Sequence, residues 1–362
     1  MTTPQDGRLA VTVTTLKDSL ANVREFVTAN LANGVDHLVV LLDAPAAEGQ
    51  PEVAAWLSER PEVTVIATDG DWWRGGRPPG LNRRQRINAN AVRVALRSVD
   101  RAEWLFHIDG DEVAVLDRAA LAEVPATADA VHLRPLEAVA QMHPEGRPTL
   151  FKQLLDDDDL HLLATLGVIE RAHNGTYLRG HVEGKSGVRP RSEAQLSLHR
   201  PVDAAGRPLE PYADPRLSLL HYESFSGEEF VRKWAAMVAS GPSTTLRPLR
   251  EATGAALRAL LTKDLPAEVR ERHLARIYER TRVDDVDTLA ELGLLVEVDP
   301  AAGTHRPAAL TDAERARFAA AIAEVAALPK ARFHPSPPQE DRSGNGPGPG
   351  QRRGRRAQGR SG

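Results

Sequence analysis

Several common features are missing from this chain of 362 residues, and each absence narrows the range of possible functions. There is no cysteine, which excludes disulfide bonds, thiolate zinc sites and a cysteine nucleophile. The first residues do not combine a basic segment with an apolar segment, as a secretory signal does. No apolar run approaches the roughly 18 residues that span a bilayer. We therefore expect a cytoplasmic protein without a transmembrane segment.

The charge of the chain gives no general reason to expect nucleic acid as a partner. The formal net charge is -4 at pH 7. Residues 342–362 differ from the rest, because they contain six arginines and no acidic residue. We predict that residues 330–362, rich in proline, glycine and arginine, form a disordered tail. The only contact expected of this tail is a weak one with an anionic surface.

Hydrophobic patterning predicts an α/β fold. Runs of apolar and β-branched residues at 9–15, 37–42 and 63–67 predict strands, and the stretches between them have helical spacing. Strands that alternate with helices are typical of a doubly wound sheet, which we expect here in a mixed form. The predicted parts are a flexible N-terminus at residues 1–8, an α/β domain at residues 9–225 and a C-terminal helical extension at residues 226–329.

One short segment concentrates the chemistry of the chain. Residues 104–108 alternate as in a buried strand, and Asp109-Gly110-Asp111-Glu112 follows at once. In open α/β sheets the carboxyl ends of strands border the ligand crevice. Asp109 and Asp111 leave the same face of an extended chain and offer oxygen ligands that suit Mg²⁺ or Mn²⁺. A polar turn is the alternative interpretation, since Asp-Gly is also a common turn dipeptide.

Polar residues also mark the ends of other predicted elements. Ser19 is a candidate N-cap for a helix that Gly34 would end. Residues 116–124 have helical spacing and predict a helix after the acidic strand end. The four aspartates at 156–159 repel one another, so we expect a solvated surface loop there rather than a second metal site.

A second polar segment lies downstream. Residues 179–190 are rich in glycine and contain Lys185 and Arg189, cations of the kind that hold phosphate oxygens. A P-loop is excluded, because position 179, where that motif needs glycine, is arginine. His221 follows another predicted strand, and a single histidine in that position is more often structural than a ligand.

Five motifs in the expected order resemble one known family. They are Thr14–Asp18 with Asn33–Asp43, Arg83–Asn90, Trp104–Glu112, Gly180–Ser186, and Leu220–Tyr222 followed by the helix around Phe230–Trp234. Together they cover about residues 9–240 and look like family 2-like glycosyltransferases, in the branch related to the family 92 glycosyltransferase domain. This resemblance implies a GT-A-like (Rossmann-like) fold with a D-x-D motif. Asp18 stands where the family has Asn-Glu, and Ala44-Pro45-Ala46 replaces its Asn-x-Ser-x-Asp continuation.

The resemblance also implies the substrates and the roles of individual residues. The donor would be a nucleoside diphosphate sugar, with a UDP-sugar favoured, and the acceptor a hydroxyl of a glycan, a lipid-linked molecule or a small molecule. The implied ligands are Lys17, Asp18 and Asp43 for the nucleoside; Asp109, Asp111 and His221 for Mn²⁺ or Mg²⁺; and Arg86, Lys185 and Arg189 for the diphosphate charge. Glu112 would orient the acceptor or the metal shell. The candidates for deprotonating the acceptor hydroxyl are His181 and Glu183, with Glu170 behind them.

Two other functional classes stay open. One is a non-catalytic nucleotide-sugar binding protein, in which the departures at Asp18 and Ala44 mark a lapsed donor site. The other is a metal-dependent nucleotidyltransferase or phosphohydrolase, because two aspartates at a strand end can serve that chemistry too. The products released from a donor distinguish these classes from a glycosyltransferase.

Overall fold

The computed structural model describes residues 7–239 and 248–335, which form a mixed α/β fold. The strands are β1 (Leu9–Leu16), β2 (His37–Leu42), β3 (Val63–Ala67), β4 (Ala102–His107), β5 (Glu112–Leu116), β6 (Ala130–Ala138), β7 (Leu150–Lys152), β8 (Lys185–Val188), β9 (Gln195–Leu196), β10 (Pro201–Val202), β11 (Tyr212–His221) and β12 (Leu295–Glu297). The helices are α1 (Leu20–Ala32), α2 (Gln50–Ser58), α3 (Gly70–Trp73), α4 (Leu81–Leu96), α5 (Arg118–Glu123), α6 (Asp157–Thr165), α7 (Asn174–Tyr177), α8 (Gly227–Ala239), α9 (Pro248–Thr262), α10 (Ala267–Thr281), α11 (Val286–Glu291) and α12 (Asp312–Ala326).

One large mixed sheet organises the molecule. β3, β2, β1 and β4 are parallel neighbours in that order. From β4 the sheet continues through β8, β6, β7 and β12, each antiparallel to the strand before it. β11 pairs in parallel with β6 and antiparallel with β5. β9 and β10 form a separate antiparallel pair.

Helices cover both faces of the sheet, as the side chains of β1 show. All eight residues of β1 are buried. Val11 and Val13 lie in one core cluster with residues of α4 and α12, whereas Ala10 lies in a second cluster with Phe26 of α1. A parallel strand covered on both sides is expected to be apolar at nearly every position. The predicted doubly wound mixed α/β fold is confirmed, and it is compatible with a Rossmann-like fold.

The ends of α1 agree with the sequence-based prediction. The Ser19 side chain accepts a hydrogen bond from the Asn22 amide at 3.3 Å, which satisfies one of the free amides of the first turn. After the last helical residue, Gly34 has a φ of 107°, and a Cβ at this position would meet the Leu116 carbonyl oxygen. Only glycine therefore fits here without strain.

The C-terminal part of the described chain returns to the α/β core. α8 and α10 pack around Phe230 and Tyr278. β12 then adds an edge strand beside β7, and Phe318 of α12 packs in the core cluster that contains Leu9. The segment predicted as a helical extension, residues 226–329, thus also contributes a strand and a core-covering helix.

Three predictions concern the N-terminus, the C-terminal tail and the absence of a transmembrane segment. Most of the predicted flexible N-terminus, and the part of the predicted tail beyond residue 335, lie outside the described residues. The prediction of a disordered tail is wrong for its first residues, because Lys330–Phe333 form a short 3-10 helix and Phe333 lies in the core cluster that contains Leu9. Within residues 7–239 and 248–335, no helix is both long enough and apolar enough to cross a membrane.

Two local predictions differ from the structure. The aspartates at 156–159 do not form a loop, because Asp156 caps α6 and accepts a hydrogen bond from the Asp159 amide at 3.0 Å. Acidic side chains are favourable there, since the first turn of a helix carries partial positive charge. Leu116 was predicted to begin a helix, but it is the last residue of β5, and α5 begins at Arg118.

Candidate active site

The acidic segment lies where several parallel strands end together. β4 ends at His107, the turn at residues 109–111 follows, and β5 begins at Glu112. Because β1, β2 and β4 are parallel, this turn shares an edge of the sheet with Asp18 and Asp43, which follow β1 and β2. We call it the carboxyl edge.

A buried lysine neutralises the acids of the turn. The Lys185 Nζ atom lies 2.6 Å from Asp109 Oδ2 and 3.6 Å from Glu112 Oε2, and the lysine side chain is 1% exposed. Burial disfavours the charged lysine, but the carboxylates of Asp109 and Glu112 outweigh it and raise the pKa of Lys185. Burial likewise favours neutral Asp109, yet Lys185 holds the pKa of that carboxyl well below its usual range. Burial opposes ionisation of Glu112 as well, yet Lys185 lowers the pKa of this carboxyl. The three groups are therefore charged at neutral pH.

Asp109 is held on both of its oxygens. Its Oδ1 accepts a hydrogen bond from Gln85 Nε2 at 2.6 Å, and its Oδ2 accepts from Lys185. The Asp109 amide in turn donates to Glu112 Oε2 at 2.7 Å. Gln85 comes from α4, so this helix fixes the direction in which the aspartate points.

Glu112, His181 and His221 form a compact buried group, which we call the Glu–His–His group. One potential ligand atom from each residue lies within 4.8 Å of the others, and the three residues are 0–7% exposed. Glu112 Oε1 lies 3.1 Å from His181 Nε2, and the two imidazole rings are 4.8 Å apart between centroids. His181 Nδ1 is buried and has no hydrogen-bond partner. This group could hold a metal ion.

Strand register explains how these distant residues meet. β11 lies between β5 and β6, and its last residue, His221, is paired with Glu112 on one side and with Glu137 on the other. Burial, together with the neighbouring His181, lowers the pKa of His221. His221 is therefore neutral at pH 7, which is the form that binds metals.

Gly180 and Glu137 support His221 from behind. A Cβ atom on Gly180 would collide with the His221 ring and would lie 2.6 Å from Glu137 Oε2, so only glycine fits beside them. The Gly180 amide donates a hydrogen bond to Glu137, whose carboxylate lies 3.9 Å from His221 Nδ1. Lys152 contacts Glu137 at 3.0 Å and joins it to Asp284, which follows α10.

The predicted nucleoside ligands lie on the carboxyl edge, and the two aspartates among them already have partners. Asp43 accepts hydrogen bonds from Arg84 Nε at 2.7 Å and from Arg84 Nη2 at 2.6 Å, and Arg77 lies 3.0 Å away. The Asp18 carboxylate accepts from the Ser19 amide at 2.7 Å, at the start of α1. Lys17 is exposed.

Four other predicted site residues are not members of the Glu–His–His group. Arg189 is at the opposite end of β8, where it binds Glu103 at 2.6 Å and stacks over Trp104. Glu183 is 40% exposed and lies 3.5 Å from Arg200. Arg86 is half-buried, and its Nε atom is buried without a hydrogen-bond partner. Asp111 is half-buried, and its backbone carbonyl accepts a hydrogen bond from Tyr222, which fixes the acidic turn beside β11.

Three residues of the site were not predicted. Gln85 lies within a motif that the family resemblance uses, but no role was assigned to it. Glu137 lies on β6, and its role became visible only through the pairing with His221. His199, whose ring centroid is 4.4 Å from that of His181, was given no role from the sequence.

Comparisons with known proteins assign no family to this chain. No protein-family model matches it, and no curated protein matches it. Among solved structures, HddC from Yersinia pseudotuberculosis is 11% identical over 51% of this chain and 78% of that chain, with a TM-score of 0.25. The apo structure of the bifunctional glycosyltransferase WbbM is 13% identical over 53% of this chain and 33% of its own, with a TM-score of 0.23. HddC complexed with GMP-PN is 14% identical over 36% of this chain and 59% of that chain, with a TM-score of 0.21.

Proposed function

We propose that the protein is a metal-dependent glycosyltransferase, which moves a sugar from a nucleoside diphosphate sugar to a hydroxyl group of an acceptor. The observation that carries this proposal is the convergence of Asp109, Glu112, Lys185, His181 and His221 at the carboxyl edge. Burial of charged groups and imidazoles at a strand edge costs folding free energy, and such groups are characteristic of sites that bind charged ligands. The sequence resemblance, with a UDP-sugar as favoured donor, supports the same conclusion.

Different residues at the carboxyl edge are proposed to contact different parts of the donor. Asp18 and Asp43 lie beyond the ends of β1 and β2 and are proposed to face the nucleoside. Glu112, His181 and His221 would hold Mn²⁺ or Mg²⁺, which neutralises charge on the leaving diphosphate when it is bound. Arg86 is proposed to face the diphosphate, and Asp111 to face the metal shell from the acidic turn. Lys185 keeps its ammonium on Asp109, so its role is to fix this turn.

The acceptor hydroxyl must lose a proton during transfer. Glu112 and His181 are both buried and bonded to each other, which leaves neither of them exposed to an incoming acceptor. Glu183 is only two residues from His181 and keeps 40% of its side chain exposed. We therefore assign acceptor deprotonation to Glu183.

A product assay tests this function. The full chain is incubated with a panel of nucleoside diphosphate sugars, with Mn²⁺ or Mg²⁺, and with glycan, lipid-linked and small-molecule acceptors. We expect free nucleoside diphosphate and a glycosylated acceptor, both of them lost in Glu112→Gln and weakened in Asp111→Ala. His161→Ala, an exposed histidine on α6, is the matched control that keeps activity.

Two results would contradict the proposal. Release of pyrophosphate instead of nucleoside diphosphate would identify a nucleotidyltransferase. Tight donor binding without turnover under the complete acceptor panel would identify a nucleotide-sugar binding protein.

A further inference from the structure

We propose that Glu112, His181 and His221 form a transition-metal centre, which binds Zn²⁺, Co²⁺ and Mn²⁺ in preference to Mg²⁺ and does not use Asp109 as a ligand. This proposal concerns the same site as the proposed function. Only the role of the metal in catalysis rests on that function. The metal preference itself is a property of these side chains, and it can be measured without a donor or an acceptor.

The chemistry of the donor atoms sets the preference. Two of the three groups are imidazoles and one is a carboxylate. Imidazole nitrogen suits Zn²⁺ and its neighbours in the first transition row, whereas Mg²⁺ favours oxygen ligands and keeps several bound waters. Only one of the three groups offers the oxygen ligand that Mg²⁺ favours, and all three residues are at most 7% exposed. We expect affinity to fall in the order Zn²⁺, Co²⁺, Mn²⁺, Mg²⁺.

Asp109 is occupied by the protein itself. Gln85 donates to one carboxylate oxygen and Lys185 to the other, both at 2.6 Å. Lys185 cannot move away at low cost, because it is almost completely buried and its ammonium would lose both carboxylates. The lysine therefore supplies the positive charge that Asp109 would otherwise obtain from a metal ion.

The surroundings of the two histidines are those of metal ligands. His181 Nδ1 is buried without a hydrogen-bond partner, which is costly unless another ligand satisfies it. His221 lies between two carboxylates, with Glu137 at 3.9 Å from Nδ1 and Glu223 at 3.6 Å from Nε2. When one nitrogen of His221 binds a metal ion, the carboxylate beside the other nitrogen can fix the orientation of the ring and raise its basicity. Gly180 permits this close packing, because any side chain there would strike the His221 ring.

A cobalt titration tests the proposal. The complete chain, free of any affinity tag and treated with chelator, is titrated with Co²⁺ while the visible d–d absorption is recorded. We expect one Co²⁺ per chain, displaced by Zn²⁺ but not by Mg²⁺ at concentrations about 100-fold higher. His181→Asn and His221→Asn should each weaken Co²⁺ binding by at least about 100-fold, since changes outside the ligand shell already cost 10- to 100-fold.

Matched controls separate ligands from neighbours. Asp109→Asn should weaken Co²⁺ binding by no more than about tenfold, well short of the histidine variants, because it changes a neighbour of Glu112 and leaves all three ligands in place. His161→Ala should have no effect. X-ray absorption on the Zn²⁺-loaded wild-type chain counts imidazole ligands directly and needs no variant to fold. Two imidazoles are expected.

Several results would overturn the inference. They are displacement of Co²⁺ by equimolar Mg²⁺, fewer than two imidazoles around bound Zn²⁺, and loss of binding in Asp109→Asn with retention in both histidine variants. The outcome is separable from that of the proposed function. Cobalt binding without sugar transfer would leave this centre intact, while sugar transfer by a chain that selects Mg²⁺ would leave only the glycosyltransferase proposal.

Discussion

Buried carboxylates lie at both edges of the parallel sheet, and their surroundings differ. At the amino edge, Asp36 precedes β2 and is 1% exposed, with Arg118 at 3.0 Å and His305 at 3.0 Å. At the carboxyl edge, Glu112 is 0% exposed and contacts His181 and Lys185. Each centre combines an acid, a histidine and a cation, so residue types alone do not distinguish them.

Hydrogen-bond saturation separates the two centres. Asp36 Oδ1 accepts hydrogen bonds from His305 and from the Ala308 amide. Its Oδ2 accepts a hydrogen bond from the Ala10 amide and forms an ion pair with Arg118. Each oxygen of this carboxylate therefore has two partners, and these partners come from distant parts of the chain. In the Glu–His–His group, by contrast, a buried imidazole nitrogen has no partner, and the ligand atoms of three residues face one another. We infer that the amino edge stabilises the fold and that the carboxyl edge is built for a ligand.

The largest expected effect is that of Lys185→Met, which leaves Asp109 and Glu112 as neighbouring buried charges. Breaking a buried ion pair from one side costs about 3–5 kcal/mol, and we expect the free energy of unfolding to fall by that amount. Urea denaturation measures it. Combining Lys185→Met with Asp109→Asn should recover part of the loss, and a double variant no more stable than the single one would show that the charges are not the cause.

Asp36→Asn tests the amino edge. We expect a loss of about 3 kcal/mol at neutral pH, at the lower end for a buried pair because Arg118 and His305 are partly exposed. Burial opposes ionisation, but His305 and Arg118 outweigh it and lower the pKa of Asp36. The stabilisation is thus complete above the unfolded pKa of about 3.9 and is lost as the pH falls through the lower folded value.

Urea denaturation from pH 7 downwards checks this dependence. The difference between wild type and Asp36→Asn should stay constant down to about pH 4 and shrink below it. Zinc affinity should be unchanged at neutral pH. A variant that unfolds normally but loses the metal would break the distinction between the two edges.

Glu183→Gln probes the proposed acceptor side of the carboxyl edge. Loss of a general base lowers turnover by about 100-fold or more, while the donor KM should stay nearly constant. The side chain is 40% exposed and its only described ion pair, with Arg200, is long, so stability should change little. Steady-state kinetics and thermal unfolding on the same preparation provide the two readouts. Full activity of this variant would remove Glu183 from the mechanism.

Gly180→Ala should have the smallest effect. It tests whether the close packing of Gly180 against His221 is needed for metal binding. The added methyl group collides with the His221 ring, and we expect metal affinity to fall by about tenfold, as for other changes behind a metal ligand. Gly70→Ala is the matched control, since no atom lies within 4 Å of a Cβ there. Cobalt titration of both variants makes the comparison, and equal affinities would show that His221 has room to shift.

The sequence predicted the strands and helices that are determined by neighbouring residues. β2 and β3 have the predicted bounds, because their apolar runs are continuous and bounded by turn residues. The ends of α1 follow from Ser19 and Gly34 in the same way. β5 was not predicted, since it owes its conformation to pairing with β11, about a hundred residues further along the chain.

The sequence predicted which residues belong to the candidate site, but it did not predict how they are arranged in space. Glu112, His181 and His221 were all candidates, yet sequence spacing could not show that β11 places His221 opposite Glu112. The four aspartates at 156–159 show the converse case. Their mutual repulsion suggested a loop, but the free amides of a helix start stabilise them more than the repulsion costs.

The packing of α12 against α4 also has a consequence for synthesis of the chain. Leu9 and Phe318 belong to one core cluster, although they come from opposite ends of the described residues. During translation this cluster cannot be completed until almost the whole polypeptide has emerged. We therefore expect truncated chains that end before Leu310 to aggregate, because apolar residues of the cluster stay exposed to other chains.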